Sequence, residues 1–223
     1  MQILQYSDLP HGGFAGLEER RFVTDARVFG HRKANGAVDG MGQFVYLADA
    51  NFFPHGQTGM HGHKEIDVIS VMVKGNVLHE GSMEHGKSLL QGQAQVQRAG
   101  GEGFSHNEVN PDDEQNQMIQ LWVMPDEPGE PSGYQVFEPK DGELTKIYGG
   151  SKGQSQTMHS STSIYVANGS AGQTFSLEGP TMAYISLGTG QINDEFVAPR
   201  SLVRSETGLS FTADEDCQVI FIQ

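Results

Sequence analysis

Two pairs of side chains in this sequence have the types and the spacing of metal ligands. His61 and His63 stand two residues apart, and His106 and Glu108 repeat that spacing further along the chain. Alternate residues of a β-strand point to the same face, so each pair can present two donor groups to one point. If the two strands face each other inside a barrel, three imidazoles and one carboxylate meet. We therefore predict one mononuclear metal site.

This mixed set of nitrogen and oxygen donors suits a divalent first-row transition ion better than Mg²⁺ or Ca²⁺, which prefer oxygen ligands. Four protein ligands leave one or two positions open on a five- or six-coordinate ion, as a catalytic site requires. The alternative interpretation is a hydrogen-bonded cluster of polar side chains that lines an empty pocket.

The rest of the sequence predicts the short strands that would position these pairs. Segments rich in Val, Ile, Phe and Tyr recur between clusters of Gly, Asn and Asp, and no stretch shows helical periodicity of useful length. The 29 glycines are dispersed along the chain, which fits many tight turns. The predicted strands are Gln43 to Leu47, Ile66 to Val73, Asn76 to His79, Ala94 to Arg98, Met118 to Met124, Tyr134 to Phe137, Ser163 to Ala167, Gln173 to Ser176, Met182 to Leu187, Glu195 to Ala198, Leu209 to Thr212 and Gln218 to Ile222.

Repeated short strands with so little helix predict an all-β sandwich or barrel, and their two series predict two modules. The connection is expected in the proline-rich and acidic stretch Pro125 to Ser132, with the Gly/Ser-rich stretch Tyr148 to Gln156 as a second candidate. We divide the chain into an N-terminal metal-binding domain, residues 1–130, and a C-terminal domain, residues 131–223.

Composition excludes several classes of partner. With 14 basic and 28 acidic side chains the formal net charge is −14, and no segment concentrates Lys or Arg, so we predict no direct binding of nucleic acid. No apolar run is long enough for a membrane helix and no signal peptide is recognisable, so we predict a cytoplasmic protein without membrane association. The single cysteine, Cys217, is expected as a small buried hydrophobe, and one cysteine forms no intrachain disulfide.

The histidine pairs and their surroundings resemble the pirin family, a branch of the cupin superfamily. The resemblance is strongest over residues 40 to 140, and the second half matches only at the level of pattern. The matching elements are His61-Gly62-His63 with Asp67 and the apolar strand from Ile69 to Gly75, His79-Glu80-Gly81-Ser82, Gly92-Gln93-Ala94-Gln95, the glycine-rich stretch from Gly100 to Glu108, and Ile119-Gln120-Leu121-Trp122-Val123-Met124-Pro125.

This resemblance implies a bicupin, that is, two packed β-barrel domains. The N-terminal barrel would hold one metal through the residues that match the family's ligands, His61, His63, His106 and Glu108, and the C-terminal barrel would hold none. Iron is the metal that the resemblance implies first, and Ni, Cu, Mn and Zn are alternatives that the same donors would accept.

The resemblance also implies a function. Several pirin-like proteins look like quercetin dioxygenases, so we predict a metal-dependent dioxygenase that cleaves quercetin, a related flavonol or another small aromatic compound with O₂. Glu108 would accept the proton of the substrate hydroxyl. The alternative is a non-enzymatic metal-binding regulator with a protein partner. An isomerase or epimerase has no motif to support it, and an apolar, solvent-connected pocket over the metal would favour an enzyme.

Some positions depart from the family pattern or leave their roles open. Gly62 replaces a proline and should loosen the ligand segment, and Asn107 replaces a serine and should alter the support of the imidazoles.

Asp67, where the family has Glu, is expected behind the ligands or in the pocket wall, with a fifth ligand as the alternative. His79 has two open roles, bordering the pocket or making a structural hydrogen bond. Trp122 is expected in the core. The remaining histidines are expected at the surface, namely His11, His31, His55, His85 and His159.

Overall fold

The computed structural model describes residues 1–223 and is built almost entirely of antiparallel β-strands. The only α-helix, α1, spans Ala26–Phe29, and short 3-10 turns lie at Tyr6–Asp8 and Gly30–Arg32. The predicted all-β class is confirmed. None of the helices has the length and apolar character needed to cross a membrane.

The chain forms two compact units. One unit comprises residues 9–138, and the other combines residues 1–8 with residues 139–223. The strands of the first unit are β2 Gly12–Phe14, β3 Leu17–Thr24, β4 Phe44–Phe52, β5 His61–His63, β6 Asp67–Lys74, β7 Asn76–Gly81, β8 Lys87–Leu90, β9 Ala94–Arg98, β10 Phe104–Val109, β11 Gln117–Val123 and β12 Gly133–Phe137. The strands of the second unit are β1 Gln2–Gln5, β13 Leu144–Gly150, β14 Ser160–Gly169, β15 Thr174–Glu178, β16 Thr181–Leu187, β17 Gly190–Ile192, β18 Glu195–Val197, β19 Ser201–Ser205, β20 Gly208–Ala213 and β21 Cys217–Ile222.

The first unit is made of two sheets with a shared apolar core. The larger sheet has the order β12-β9-β6-β11-β4-β3-β2, and the smaller sheet has the order β5-β10-β7-β8. Apolar side chains from both sheets pack into one cluster, with Phe52, Met72 and Met118 from the larger sheet and Val77 and Leu89 from the smaller one. Burial of this cluster holds the two sheets face to face.

The second unit repeats this arrangement. Its sheets have the orders β1-β19-β16-β21-β14-β13 and β15-β20-β17-β18. Phe221 and Val219 from the first sheet and Phe211 and Leu209 from the second belong to one buried cluster. Cys217 is buried in the same cluster, which confirms its predicted role as a small hydrophobe.

The compact units differ from the predicted domain ranges of 1–130 and 131–223 at two places. The segment 125–132 does not separate the units, because β12 follows it and pairs with β9 as an edge strand of the first unit. The N-terminal segment belongs to the second unit, because β1 pairs with β19. Both differences arise from edge strands, whose pairing partner cannot be read from local sequence.

A buried ion pair stabilises the larger sheet of the first unit. Arg98 on β9 donates from Nε to Oδ2 of Asp67 on β6 at 3.0 Å, and the two residues face each other in the strand register. Their side chains are only 7% and 1% exposed, so water cannot replace either partner. Removing one partner would leave the other charge buried and uncompensated.

We expect Arg98→Met to lower the free energy of unfolding by about 3–5 kcal/mol. The measurement is urea unfolding followed by the fluorescence of Trp122, the single tryptophan, which lies in the same unit. The control is Lys74→Met, because Lys74 pairs with Glu114 at 3.8 Å on the exposed surface and its loss should cost less than about 1 kcal/mol. Equal effects of the two substitutions would contradict a stabilising role of the buried pair.

Candidate metal centre

The pairing of β5 with β10 brings the two predicted ligand pairs together. In the antiparallel register His61 lies opposite His106, and His63 lies opposite Phe104. Glu108 lies two residues beyond His106 on the same strand and opposite His79 of β7. The alternation of β10 therefore puts His106 and Glu108 on the face that looks into the first unit.

The three imidazoles converge on one point. The Nε2 atom of His106 lies 3.0 Å from that of His61 and 3.2 Å from that of His63. Donor atoms of all three residues lie within 4.8 Å of one another. Two nitrogens that bind one ion at about 2.1 Å and at right angles are about 3.0 Å apart, so the observed separations fit ligands of a single transition ion.

All three rings would be neutral when they bind an ion. Burial, followed by the nearby His61, lowers the pKa of His63 to about 4, and burial with the neighbouring histidines lowers that of His106 to about 2. His61 directs its Nδ1 to the carbonyl of Gly59 at 2.9 Å, so the proton belongs on Nδ1 and the lone pair of Nε2 faces the other rings. A proton on His106 Nε2 bridges to one neighbour at a time, whereas a cation accepts all three lone pairs. The donor set fits a metal.

His106 is fully buried, and its Nδ1 atom has no hydrogen-bond partner. A buried polar atom without a partner is costly, and binding of an ion through Nε2 would not remove that cost.

Glu108 lies beside the imidazoles but does not belong to the converging group. Its Oε1 accepts hydrogen bonds from Ser70 at 3.2 Å and Gln95 at 3.3 Å, and its Oε2 accepts one from Gln120 at 3.1 Å. All three donors are neutral. Burial raises the pKa of Glu108 to about 7, although the hydrogen bonds from Ser70 and Gln120 oppose the shift.

A cavity of about 430 Å³ adjoins the site and has the size of a small-molecule pocket. His61, His63 and Glu108 are among its lining residues, whereas His106 lies behind them. Exposed side chains such as Phe14 and Lys64 also line the cavity, so it reaches the surface. The rest of the lining is Leu17, Glu19, Arg21, Phe29, Tyr46, Ala50, Phe52, Thr58, Gly62, Ile66, Met118, Gln120 and Trp122.

Comparison with known proteins identifies the segment that carries this site. Residues 25–123 match the family model for pirin. This segment is a pirin domain. A Zymomonas mobilis relative named "Putative quercetin 2,3-dioxygenase" is 30% identical over 139 residues, which cover 61% of this chain and 56% of that protein. The quercetin 2,3-dioxygenase of Escherichia coli K12 is 28% identical over 110 residues, which cover 48% of this chain and 47% of that protein. The match thus spans about half the length of these two relatives.

Solved structures share the fold over nearly the whole chain. The bacterial pirin YhhW from Escherichia coli, crystallised in complex with nickel(II), superposes with a TM-score of 0.83 at 18% identity and covers 99% of this chain and 97% of its own. A quercetin 2,3-dioxygenase from Acinetobacter baumannii superposes with a TM-score of 0.72 at 19% identity and covers 100% of this chain and 85% of its own. The predicted bicupin fold is confirmed.

Two departures from the pirin pattern, Gly62 and Asn107, lie in strands that are paired with their neighbours. Gly62 is paired with Ser105 in the β5–β10 ladder, which fixes the two flanking histidines although the proline is missing. Asn107 does not contact the imidazoles, because it points to the opposite face of β10. Its Nδ2 instead donates to Gln57 at 2.8 Å and to Glu80 at 3.0 Å, and these bonds tie β10 to its neighbouring segments. The loosening expected at Gly62 stays a prediction, and Asn107 supports the strand instead of the rings.

Asp67 and His79 have structural roles within the pirin domain. Asp67 forms the ion pair with Arg98 and does not line the cavity, so its expected place behind the ligands or in the pocket wall is wrong. His79 is fully buried and does not line the cavity either. Its Nε2 lies 2.9 Å from Nε2 of Gln97. Of the two roles predicted for His79, this contact is the structural hydrogen bond and not the border of the pocket.

Trp122 is partly buried, and it packs against the buried cluster of Val68, Ala99 and Phe104 as well as lining the cavity. Even-numbered residues of β11 face the cavity, so Trp122 lines it and its ring lies 5.5 Å from that of His63 in an edge-on contact. Four of the five histidines predicted at the surface are exposed, whereas His159 is partly buried. The exposed histidines are His11, His31, His55 and His85.

Sequence reasoning missed the residues of the larger sheet that complete the site. Ser70, Gln95 and Gln120 surround Glu108, and Glu19 and Arg21 lie in the cavity wall. Each belongs to a strand whose alternate residues face inward, and a polar residue at an inward position of an apolar strand is the signal that would have marked it.

We expect His61→Ala, His63→Ala and His106→Ala each to weaken metal affinity by roughly 100-fold or more, since each removes one of three converging donors. The measurement is metal content and calorimetric titration of the protein purified without oxygen. The matched control is His55→Ala, because His55 is exposed and pairs with Asp113 away from the cavity. Unchanged metal binding in all three variants would overturn the site.

Proposed function

We propose that this protein is a metal-dependent dioxygenase that cleaves quercetin, a related flavonol or another small aromatic compound with O₂. The observation that carries the proposal is the convergence of three imidazoles at the wall of a cavity that is lined by aromatic side chains and reaches the surface. The pirin domain and the relatives named as quercetin dioxygenases support the same reaction. Cytoplasmic location stays a prediction from the sequence.

The proposed ligands are His61, His63 and His106, with Glu108 as the fourth. Iron is our first expectation, and Ni, Cu, Mn and Zn suit the same donors. A bound divalent transition ion would lower the pKa of a substrate hydroxyl and enable reaction of the activated ring with dioxygen. The protein supplies what the reaction needs besides the ion: an aromatic wall, a fixed set of donor atoms and a proton acceptor.

Glu108 is the proposed proton acceptor. Its carboxylate lines the cavity, and burial brings its pKa to about 7, close to the value at which a general base works near neutral pH. Neutral donors on both oxygens hold the carboxylate in one orientation without fixing it in the ionised state. Glu108 can therefore take the proton of a substrate hydroxyl that enters the cavity.

The alternative function is a non-enzymatic metal-binding regulator with a protein partner. A sensing or structural metal site needs no space for a second molecule beside the ion. Here a cavity of about 430 Å³ opens next to His61 and His63, and this space favours the enzyme.

We expect the anaerobically purified protein to consume oxygen with quercetin and His61→Ala to show no uptake above the uncatalysed rate, because the variant loses a ligand. An oxygen electrode measures the uptake, and metal analysis of both samples accompanies it. Stoichiometric metal without oxygen uptake in the wild type would exclude quercetin as the substrate and favour the regulator.

We expect Glu108→Gln to lower kcat for quercetin by about 100- to 10,000-fold, because an amide has the same shape but accepts no proton. Steady-state oxygen uptake at saturating quercetin measures this change. The control is Glu80→Gln, whose carboxylate lies outside the cavity and accepts a hydrogen bond from Asn107. Full activity of Glu108→Gln would remove Glu108 from the reaction.

A further inference from the structure

The larger sheet builds one wall of the cavity from alternate residues of three neighbouring strands. This alternation gives the wall two parts, an aromatic part and a charged part. The wall residues are Leu17, Glu19 and Arg21 on β3, Tyr46, Ala50 and Phe52 on β4, and Met118, Gln120 and Trp122 on β11.

The aromatic part is a stack of three rings that ends beside the metal centre. The ring of Tyr46 lies 4.4 Å from that of Trp122 and 5.6 Å from that of Phe29, with interplanar angles of 27° and 23°. Trp122 in turn meets His63 edge-on. Nearly parallel aromatic rings form a wall against which a planar aromatic ligand can pack.

The charged part is an ion pair beside this stack. Arg21 donates from Nε to Oε1 of Glu19 at 2.6 Å, and its Nη2 lies 2.5 Å from the same oxygen. The hydroxyl of Tyr46 donates to the other oxygen of Glu19 at 3.1 Å. Glu19 is 3% exposed and both its oxygens are engaged, whereas the side chain of Arg21 is 38% exposed. A guanidinium has five N–H donors, so Arg21 keeps donors for a ligand in the cavity.

Strand register gives the separation between Arg21 and Gln120, whose side chain contacts Glu108 beside the imidazoles. Arg21 lies opposite Ala48, and Ala48 lies opposite Gln120, which donates to Glu108. Two strand spacings put the backbones of Arg21 and Gln120 about 10 Å apart. The residue between them is only an alanine, so the wall leaves space there for a ligand. A molecule with two fused rings can span this distance.

We propose that Arg21, held in place by Glu19, determines substrate specificity by binding an ionised oxygen, a phenolate or a carboxylate, at the end of a planar aromatic substrate remote from the metal. Guanidinium groups bind such oxygens through charge-assisted hydrogen bonds. The assignment of the ligand as a substrate rests on the proposed dioxygenase function. Glu19 and Arg21 both precede the matched pirin segment, residues 25–123.

The test compares two probes by calorimetric titration under nitrogen, where no oxygen supports turnover. The probe 6-hydroxy-2-naphthoate carries a hydroxyl at one end and a carboxylate at the other, and 2-naphthol lacks the carboxylate. We expect the wild type to bind the naphthoate at least about 10-fold more tightly than 2-naphthol. Arg21→Met should abolish this preference and leave the affinity for 2-naphthol unchanged.

Two further variants separate a specific site from other effects. Arg21→Met leaves Glu19 buried without its partner, so the double variant with Glu19→Gln, which has no unpaired charge, should lose the preference and remain folded. Lys64→Met removes one positive charge from the same cavity and should retain the preference. No preference in the wild type, retention of the preference in the double variant, or its loss in Lys64→Met would each overturn the proposal. These titrations need no oxygen, so their result can be interpreted whether or not the protein consumes oxygen with quercetin.

Discussion

The convergence of three imidazoles on one point is the arrangement on which the rest of this site depends. The backbone ladder between β5 and β10 holds His61 opposite His106, and alternation along β5 brings His63 to the same side. Without a cation, a proton on His106 Nε2 joins this ring to only one neighbour at a time, so the surrounding strands must hold the other ring in place. The apolar cluster that joins the two sheets provides that rigidity, because a packed core cannot relax to let the rings separate.

The first unit contains five buried carboxylates, and the partners of these groups differ. They belong to Glu19, Asp25, Asp49, Asp67 and Glu108. Glu19, Asp25 and Asp67 each form an ion pair with an arginine, and Asp49 accepts hydrogen bonds from Gln117. Glu108 faces only amides and a hydroxyl, from Gln95, Gln120 and Ser70. Burial therefore raises the pKa of Glu108 to about 7 without a cation to oppose the shift.

The sequence predicts the histidine pairs well, because metal ligands impose residue type and spacing together, although β5 and β10 are not among the predicted strands. His61, His63 and His106 converge as expected from the two-residue period, and each predicted strand overlaps an observed one. By contrast, β3 was missed. Its sequence LEERRFVT carries four charged residues, which argue against a buried strand until the pairing of Glu19 with Arg21 is known. The unit boundary and the place of Trp122 depend on strand pairing and on which face turns inward, and neither is fixed by local composition.

The two sheets of the first unit contribute different parts of the site. The smaller sheet supplies the imidazoles and Glu108, and the larger sheet supplies the wall that an aromatic molecule would contact. Trp122 is the wall residue whose ring meets a proposed ligand, His63, whereas the pair of Glu19 and Arg21 reaches the stack only through Tyr46. Changes in that pair can therefore alter which molecule binds without disturbing the proposed metal donors. For the proposed dioxygenase, substrate choice and metal binding would be separable because different strands carry them.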